Sequence, residues 1–142
     1  MDNNSHEYIK RSDTDWREKL TPEEFHILRE GGTEPAYRGK YANHYEKGCY
    51  HCAGCDLPLF DWHDKFDSGT GWPSFTHPIQ PLHIDFHDDY KLAVKRTEVR
   101  CARCNSHLGH VFEDGPPPMR KRFCINSIAL KFIADHQQQE IP

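Results

Sequence analysis

The sequence predicts an α+β fold with an antiparallel, mainly β body, and three observations carry that reading. Helix signals are confined to the stretch before Gly31-Gly32. Beyond it the chain breaks into short segments, punctuated by Gly and Pro, with the apolar patterning of strands. Two Cys-x-x-Cys pairs, Cys52/Cys55 and Cys101/Cys104, fall inside that β region, as a metal clasp between strand ends would. Helices first and strands afterwards is the order of an α+β protein.

Taken in order, residues 1–12 are polar and read as a mobile tail. A short helix is expected around Trp16–Leu20. Thr21-Pro22-Glu23-Glu24 then starts a second helix: Thr21 caps, Pro22 suits the first turn and Glu24 closes a capping box. Phe25, Ile27 and Leu28 give it an apolar side, and Gly31-Gly32 ends it near Glu30. Lys91–Val99 alternates Leu92 and Val94 with Lys91 and Lys95, the pattern of a half-buried strand. Gly115-Pro116-Pro117-Pro118 must be a loop. Phe123–Ile133 is apolar on both parities and reads as a strand covered on both sides. The segment 135–142 is polar and reads as a second mobile tail, so 1–142 forms a single domain.

Composition narrows the function classes. A 142-residue chain with 36% hydrophobic and 28% charged residues is polar and of one-domain size. The net charge of −4 supplies no bulk basic surface for nucleic acid. There is no apolar run approaching the roughly 18 residues of a membrane span. The first residues carry no secretory h-region, which points to a reducing, cytoplasmic setting. Six cysteines are there expected as thiols and metal ligands rather than disulfides.

The four paired cysteines, Cys52, Cys55, Cys101 and Cys104, match the number and softness of ligand that one tetrahedral zinc ion prefers. With sulfur at all four positions no water site remains, so the zinc would be structural. Cys49 and Cys124 are left over. Cys124 lies in Arg122-Phe-Cys-Ile-Asn126, where a strand period of two puts Arg122, Cys124 and Asn126 on one face. A cation beside a thiol favours the thiolate, so Cys124 is the expected nucleophile. His107 and His110 would face opposite ways in an ideal strand, but Gly109 permits a bend that brings both to one site as proton or hydrogen-bond donors. Trp72 sits in a rigid Gly/Pro turn, and Phe112 closes the His107–Phe112 run.

Four strings then carry a family resemblance: PLF (58–60), KFDSGTGWPSF (65–75), RCARCNSHLGHVFEDGP (100–116) and RFCINSIAL (122–130). The chain resembles the methionine-R-sulfoxide reductase (MsrB) family from about Thr33 to Phe132, with both cysteine pairs in register. The resemblance implies a β-tent of two antiparallel sheets with short N-terminal helices and a structural zinc. It implies reduction of the R epimer of methionine sulfoxide, free or in oxidised proteins, through a Cys124 sulfenic acid. His107, His110, Arg122 and Asn126 match the polar set around the nucleophile. Trp72 matches the wall for the substrate methyl group, and Phe112 another apolar pocket position. Thioredoxin or another thiol would be the reductant, acting on a monomer.

Two departures stand out. Thr70 occupies the position where many relatives carry a resolving cysteine, leaving Cys49 as the alternative resolving thiol or as a small residue filling a strand. Met119-Arg120 stands where relatives often have Thr-Gly. The rival function is a non-enzymatic binding module on the same zinc-stapled scaffold, which would have no need of Cys124, the histidine pair and Trp72 together. A zinc deaminase would need an open metal position and a His-x-Glu motif.

Overall fold

Caps and breakers set the two helices where the sequence puts them. The computed structural model describes residues 8–135. Helix α1 (Asp13–Lys19) begins where the Ser12 hydroxyl accepts from the Asp15 amide. Helix α2 (Pro22–Glu30) carries the full Thr21/Glu24 capping box, each side chain accepting from the other residue's amide. It stops at Gly31, whose φ of 73° is the left-handed conformation glycine adopts freely. No helix among the described residues is long and apolar enough to cross a membrane.

The strands form two antiparallel sheets. Strands β1 (Gly48–Cys52), β2 (Pro58–Asp61) and β9 (Leu130–Ala134) make the smaller one, in the order β2-β1-β9. The larger runs β3-β4-β8-β7-β6-β5, from β3 (Lys65–Phe66), β4 (Ser74–Phe75), β5 (Ile84–Asp89), β6 (Arg96–Cys101), β7 (His107–Phe112) and β8 (Arg122–Ile125). Aromatic side chains join the sheets. Phe60 of β2 stacks on Phe75 of β4 with centroids 4.4 Å apart, and Tyr50 of β1 meets Phe75 edge-on at 5.2 Å. Trp16, Leu28, Leu59, Val99, Leu108 and Ile125 are buried in the same core.

Two strand expectations are corrected. Residues 91–94 are bends in the hairpin between β5 and β6, which closes at the pair Asp89↔Arg96. Leu92 and Val94 are exposed, so their alternation does not mark a half-buried strand. The apolar run 123–133 is two strands, not one: after β8 a 3-10 turn at Ser127–Ala129 carries the chain across to β9 in the other sheet. Both halves are rich in apolar residues because each faces the shared core. The expected mobility of 1–7 and 136–142 lies outside the described residues. Of the remaining expected tail, the Ile9 amide donates to the Arg103 carbonyl and Ser12 caps α1.

Candidate functional site

The four paired cysteines meet at the junction of the sheets. Cys52 ends β1 and Cys101 ends β6, and each opens a tight knuckle of the same build. The Asp56 amide donates to the Cys52 carbonyl and the Asn105 amide to the Cys101 carbonyl, both at 2.8 Å. Asp56 and Asn105 take φ near +65°, which these two residue types tolerate best after glycine. Sulfur pairs Cys52/Cys104 and Cys55/Cys101 lie 3.6 and 3.5 Å apart, and all four Sγ atoms are within 4.8 Å of one another. Metal–sulfur bonds of about 2.3 Å in a tetrahedron put sulfurs about 3.8 Å apart, so this cluster fits a metal ion. The Gly54 amide donates to Cys52 Sγ, and Arg29 of α2 donates to the Cys104 carbonyl and Ser106 hydroxyl.

A pocket of about 280 Å³ opens on the large sheet, lined by Thr33, Thr70, Trp72, Arg96, Gly109, His110, Phe112, Arg122, Cys124, Ile125 and Asn126. Strands β7 and β8 build its floor, with His110 directly opposite Cys124 in the ladder. Gly109 permits this approach, because a Cβ there would lie 2.0 Å from the Cys124 carbonyl oxygen. The half-buried Trp72 donates its indole N–H to the Glu34 carbonyl at 2.9 Å, which fixes the ring at the pocket edge. Arg122 lies over the Phe112 ring at 4.3 Å and donates twice to Asp114, at 2.8 and 3.1 Å. Arg122, Cys124 and Asn126 all reach the pocket, as the period-two expectation required. The Asn126 amide also braces the backbone: it accepts from the Glu34 N–H and donates to the Leu108 carbonyl.

The histidine pair is brought together by a bulge, not by a bend at Gly109. Val99 of β6 pairs with Gly109 and Arg100 with His107, which leaves Leu108 as the extra residue. One inserted residue turns an odd spacing into an even one, so both imidazoles lie on one side with centroids 5.4 Å apart. His110 bonds Asp89 at 2.7 Å and His107 bonds Glu98 at 2.6 Å. Only His110 of the two lines the pocket. His107 is buried beside it, lining a second cavity with Glu98, Arg100 and Asn105. Burial lowers the His110 pKa against the opposing pull of Asp89. Asp89 is held at about 2, chiefly by the Lys91 amide and then by His110. For Glu98 burial acts upward, but hydrogen bonds from His107 and Arg100 overcome it and bring the carboxyl to about 2.

Burial and charge pull the Cys124 thiol in opposite directions. Burial pushes the Cys124 thiol upward, and the Arg122 charge with hydrogen bonds from Thr70 and Arg122 only partly offsets it. Desolvation outweighs the one neighbouring cation, so the net shift is upward. Cys49 lies on the other sheet, only 5% exposed in β1. Burial first, then Asp61 and Asp135, push its thiol up to about 11.

Sequence reasoning missed Asp89, Glu98, Glu34, Thr33 and Arg96. Glu98 lies on β6 beside the histidine strand, Asp89 on β5 one strand further out, and Glu34 in the segment after α2, a grouping that only the tertiary arrangement reveals. Arg120, in the Met119-Arg120 departure, adopts φ 59°, the left-handed region where glycine carries no strain.

A SelR domain model matches residues 20–134. Among curated relatives, one from Agrobacterium fabrum (strain C58) is 54% identical over 124 residues, covering 87% of this chain and 92% of the relative. One from Thioalkalivibrio sulfidiphilus is 48% identical over 137 residues, covering 96% and 100%. One from Methanosarcina mazei is 51% identical over 127 residues, covering 89% and 91%. Each bears the name peptide methionine sulfoxide reductase MsrB.

Proposed function

The chain belongs to the SelR-domain family, whose similar members are named peptide methionine sulfoxide reductase, and from that premise we propose that it reduces methionine-R-sulfoxide to methionine at Cys124. One observation carries the reading. Cys124 shares a single pocket with an apolar wall, Trp72 and Phe112, and with polar groups, His110 and Arg122. A sulfoxide needs both: an aromatic surface for its methyl arm and donors for its oxygen.

The Cys124 sulfur attacks the sulfoxide sulfur while the sulfoxide oxygen takes a proton from His110. Oxygen passes to Cys124, so one thiol and one sulfoxide become one sulfenic acid and one thioether, with protons and electrons balanced. The proton on the resting thiol leaves as the sulfur attacks and replaces the one that His110 gave up. Arg122, locked to Asp114, stabilises negative charge on the sulfur. His107 acts as a second donor through its contact with His110, and Asn126 holds the β8 end in register. Two equivalents of an external thiol, of the thioredoxin kind, then return Cys124 to the thiol and release water and a disulfide. Burial of Cys49 and its raised pKa support a packing role, with external thiol as the direct reductant.

At the cysteine cluster the ligand set supports zinc. Cys52, Cys55, Cys101 and Cys104 would hold it, closed to water, as a clasp with no part in the chemistry. We place the enzyme in the cytoplasm as a monomer. The test is to offer each sulfoxide epimer separately with dithiothreitol and measure methionine. Only the R epimer should be reduced, and Cys124→Ser should cut turnover at least about a thousandfold with metal content unchanged. Full activity in that variant would remove Cys124 as nucleophile.

A further inference from the structure

Three hydroxyls stand in line beside the Cys124 sulfur, and counting donors fixes their polarity. Ser74 of β4 is fully buried and sits directly opposite Cys124 in the ladder, so the two side chains share one face of the sheet. The Ser74 hydroxyl donates to the Trp72 carbonyl at 3.2 Å, and a carbonyl has no proton to give. Ser74 Oγ must therefore accept across its 2.8 Å contact with Ser68, whose one hydroxyl proton is engaged there. Ser68 Oγ in turn accepts from the Thr70 amide at 3.4 Å and from the Thr70 hydroxyl at 2.8 Å. Toward the pocket that it lines with Cys124, Thr70 Oγ1 is left with lone pairs only. In this setting it accepts from a protonated sulfur. Yet Thr70 pulls the Cys124 pKa downward, which requires it to donate. A hydroxyl does either, so the chain has two settings.

We propose that Thr70 is a catalytic residue whose hydroxyl, ordered through Ser68 and Ser74, reverses its hydrogen bond to Cys124 as the sulfur turns from thiol into charged nucleophile. The inference rests on the reductase reading and adds to it the group that answers the change of charge at the sulfur. Reversal needs only the rotation of three hydroxyls. Thr70 then donates to the sulfur, Ser68 to Thr70 and Ser74 to Ser68, and only the bond to the Trp72 carbonyl is given up. At 3.2 Å that bond is the longest of the three hydroxyl bonds, whereas the bond gained is charge-assisted and of the stronger kind. No proton leaves by this route, because the chain ends on a carbonyl. Its effect is to turn a lone pair facing the sulfur into a donor. Arg122 supplies a fixed charge, and Thr70 a contact that fits both protonation states. Ser68 and Ser74 act through Thr70 and are positioning residues.

The test uses the whole chain and follows two quantities. One is methionine formed in a single turnover at saturating R-sulfoxide. The other is the pH dependence of Cys124 alkylation by iodoacetamide, read on the Cys124 peptide by mass spectrometry. Thr70→Val keeps the shape of the side chain and removes the hydroxyl. It should slow methionine formation about tenfold and move the alkylation limb to higher pH. Thr70→Ser should restore both. Ser68→Ala, which leaves Thr70 in place, should produce the same two changes in smaller measure, a result that lost packing at position 70 does not give. It also decides alone if Thr70→Val does not fold. A Thr70→Val protein with the unaltered rate and limb overturns the proposal. So does a Thr70→Ser protein as slow as Thr70→Val, which would make shape and not the hydroxyl decisive, and so does Ser68→Ala with both quantities unchanged. If the unaltered protein reduced no sulfoxide, the reductase reading would fall and the catalytic role of Thr70 with it, while the alkylation limb would still report on the hydrogen bond.

Discussion

At the scale of single residues, the most consequential contact is the one between His110 and Asp89. Asp89 accepts from His110 Nε2 at 2.7 Å and is itself held by the Lys91 amide and Arg96. Burial lowers the His110 pKa below its ordinary 6.5, and Asp89 is the group that opposes the fall. Removing that charge in Asp89→Asn should lower it further. The falling limb of the pH–rate profile should move to lower pH, with the loss of activity largest at neutral pH and smallest in acid. Asp89→Glu should restore the limb. A profile that merely scales down at every pH would make Asp89 structural. The same direction has a stability sign. A base whose folded pKa is depressed binds fewer protons when folded, so stability is present above pH 6.5 and declines as pH falls through the folded value. The residue scale was also where the sequence was most informative about chemistry. Cys124, Trp72, Phe112 and Arg122 reach one pocket because a strand's period of two and a stiff turn are local facts. Asp89 and Glu98 were not legible, because nothing local relates them to His110 and His107.

At the scale of elements, β7 carries the design. The Leu108 bulge sets the histidines on one side, and Gly109 lets β7 close on β8 so that His110 faces Cys124. The atoms that a Gly109 Cβ would meet are backbone, the Cys124 carbonyl and Ile125 Cα, and cannot rotate away. Gly109→Ala should therefore force the strands apart, costing about 1–3 kcal/mol of stability and lowering kcat more than it raises KM. Denaturant melts with steady-state kinetics would check it; an unchanged melt would mean that the strands separate freely. Elements were legible where a short sequence suffices. Thr21-Pro22-Glu23-Glu24 states its own capping box, and Gly31-Gly32 its own stop. Leu92 and Val94 misled because alternation reports a face, and here that face meets solvent at a hairpin tip. The run 123–133 misled because the 3-10 turn at Ser127–Ala129 transfers the chain between sheets without any break in apolar character.

At the scale of the molecule, two short sheets are held by an aromatic core and by the cysteine cluster at their junction. Each knuckle sits at the end of a strand in a different sheet, Cys52 on β1 and Cys101 on β6. A metal there closes a long loop, the case in which a cross-link restricts the unfolded chain most. Prolonged chelation should lower the melting temperature sharply, reflecting a loss on the order of 10 kcal/mol of apparent folding free energy. Loss of activity should follow unfolding and not precede it, and elemental analysis of the untreated protein should find one zinc per chain. Activity that vanished while the fold persisted would give the metal a chemical role. The four cysteines announced this clasp by spacing alone. That it bridges the two sheets did not follow from spacing, since the partition of strands between sheets is a tertiary fact.

The small sheet sets β1 beside β9, pairing Gly48 with Ala134 and Cys52 with Leu130, residues far apart in the chain. During synthesis on the ribosome, β1 emerges early and must wait, its β9-facing edge unpaired, until the segment through Ala134 has been made. Late-closing, distant pairings of this kind slow folding and leave a nascent chain open to aggregation. A chaperone that shields β1 in that interval should therefore raise the yield of intact protein.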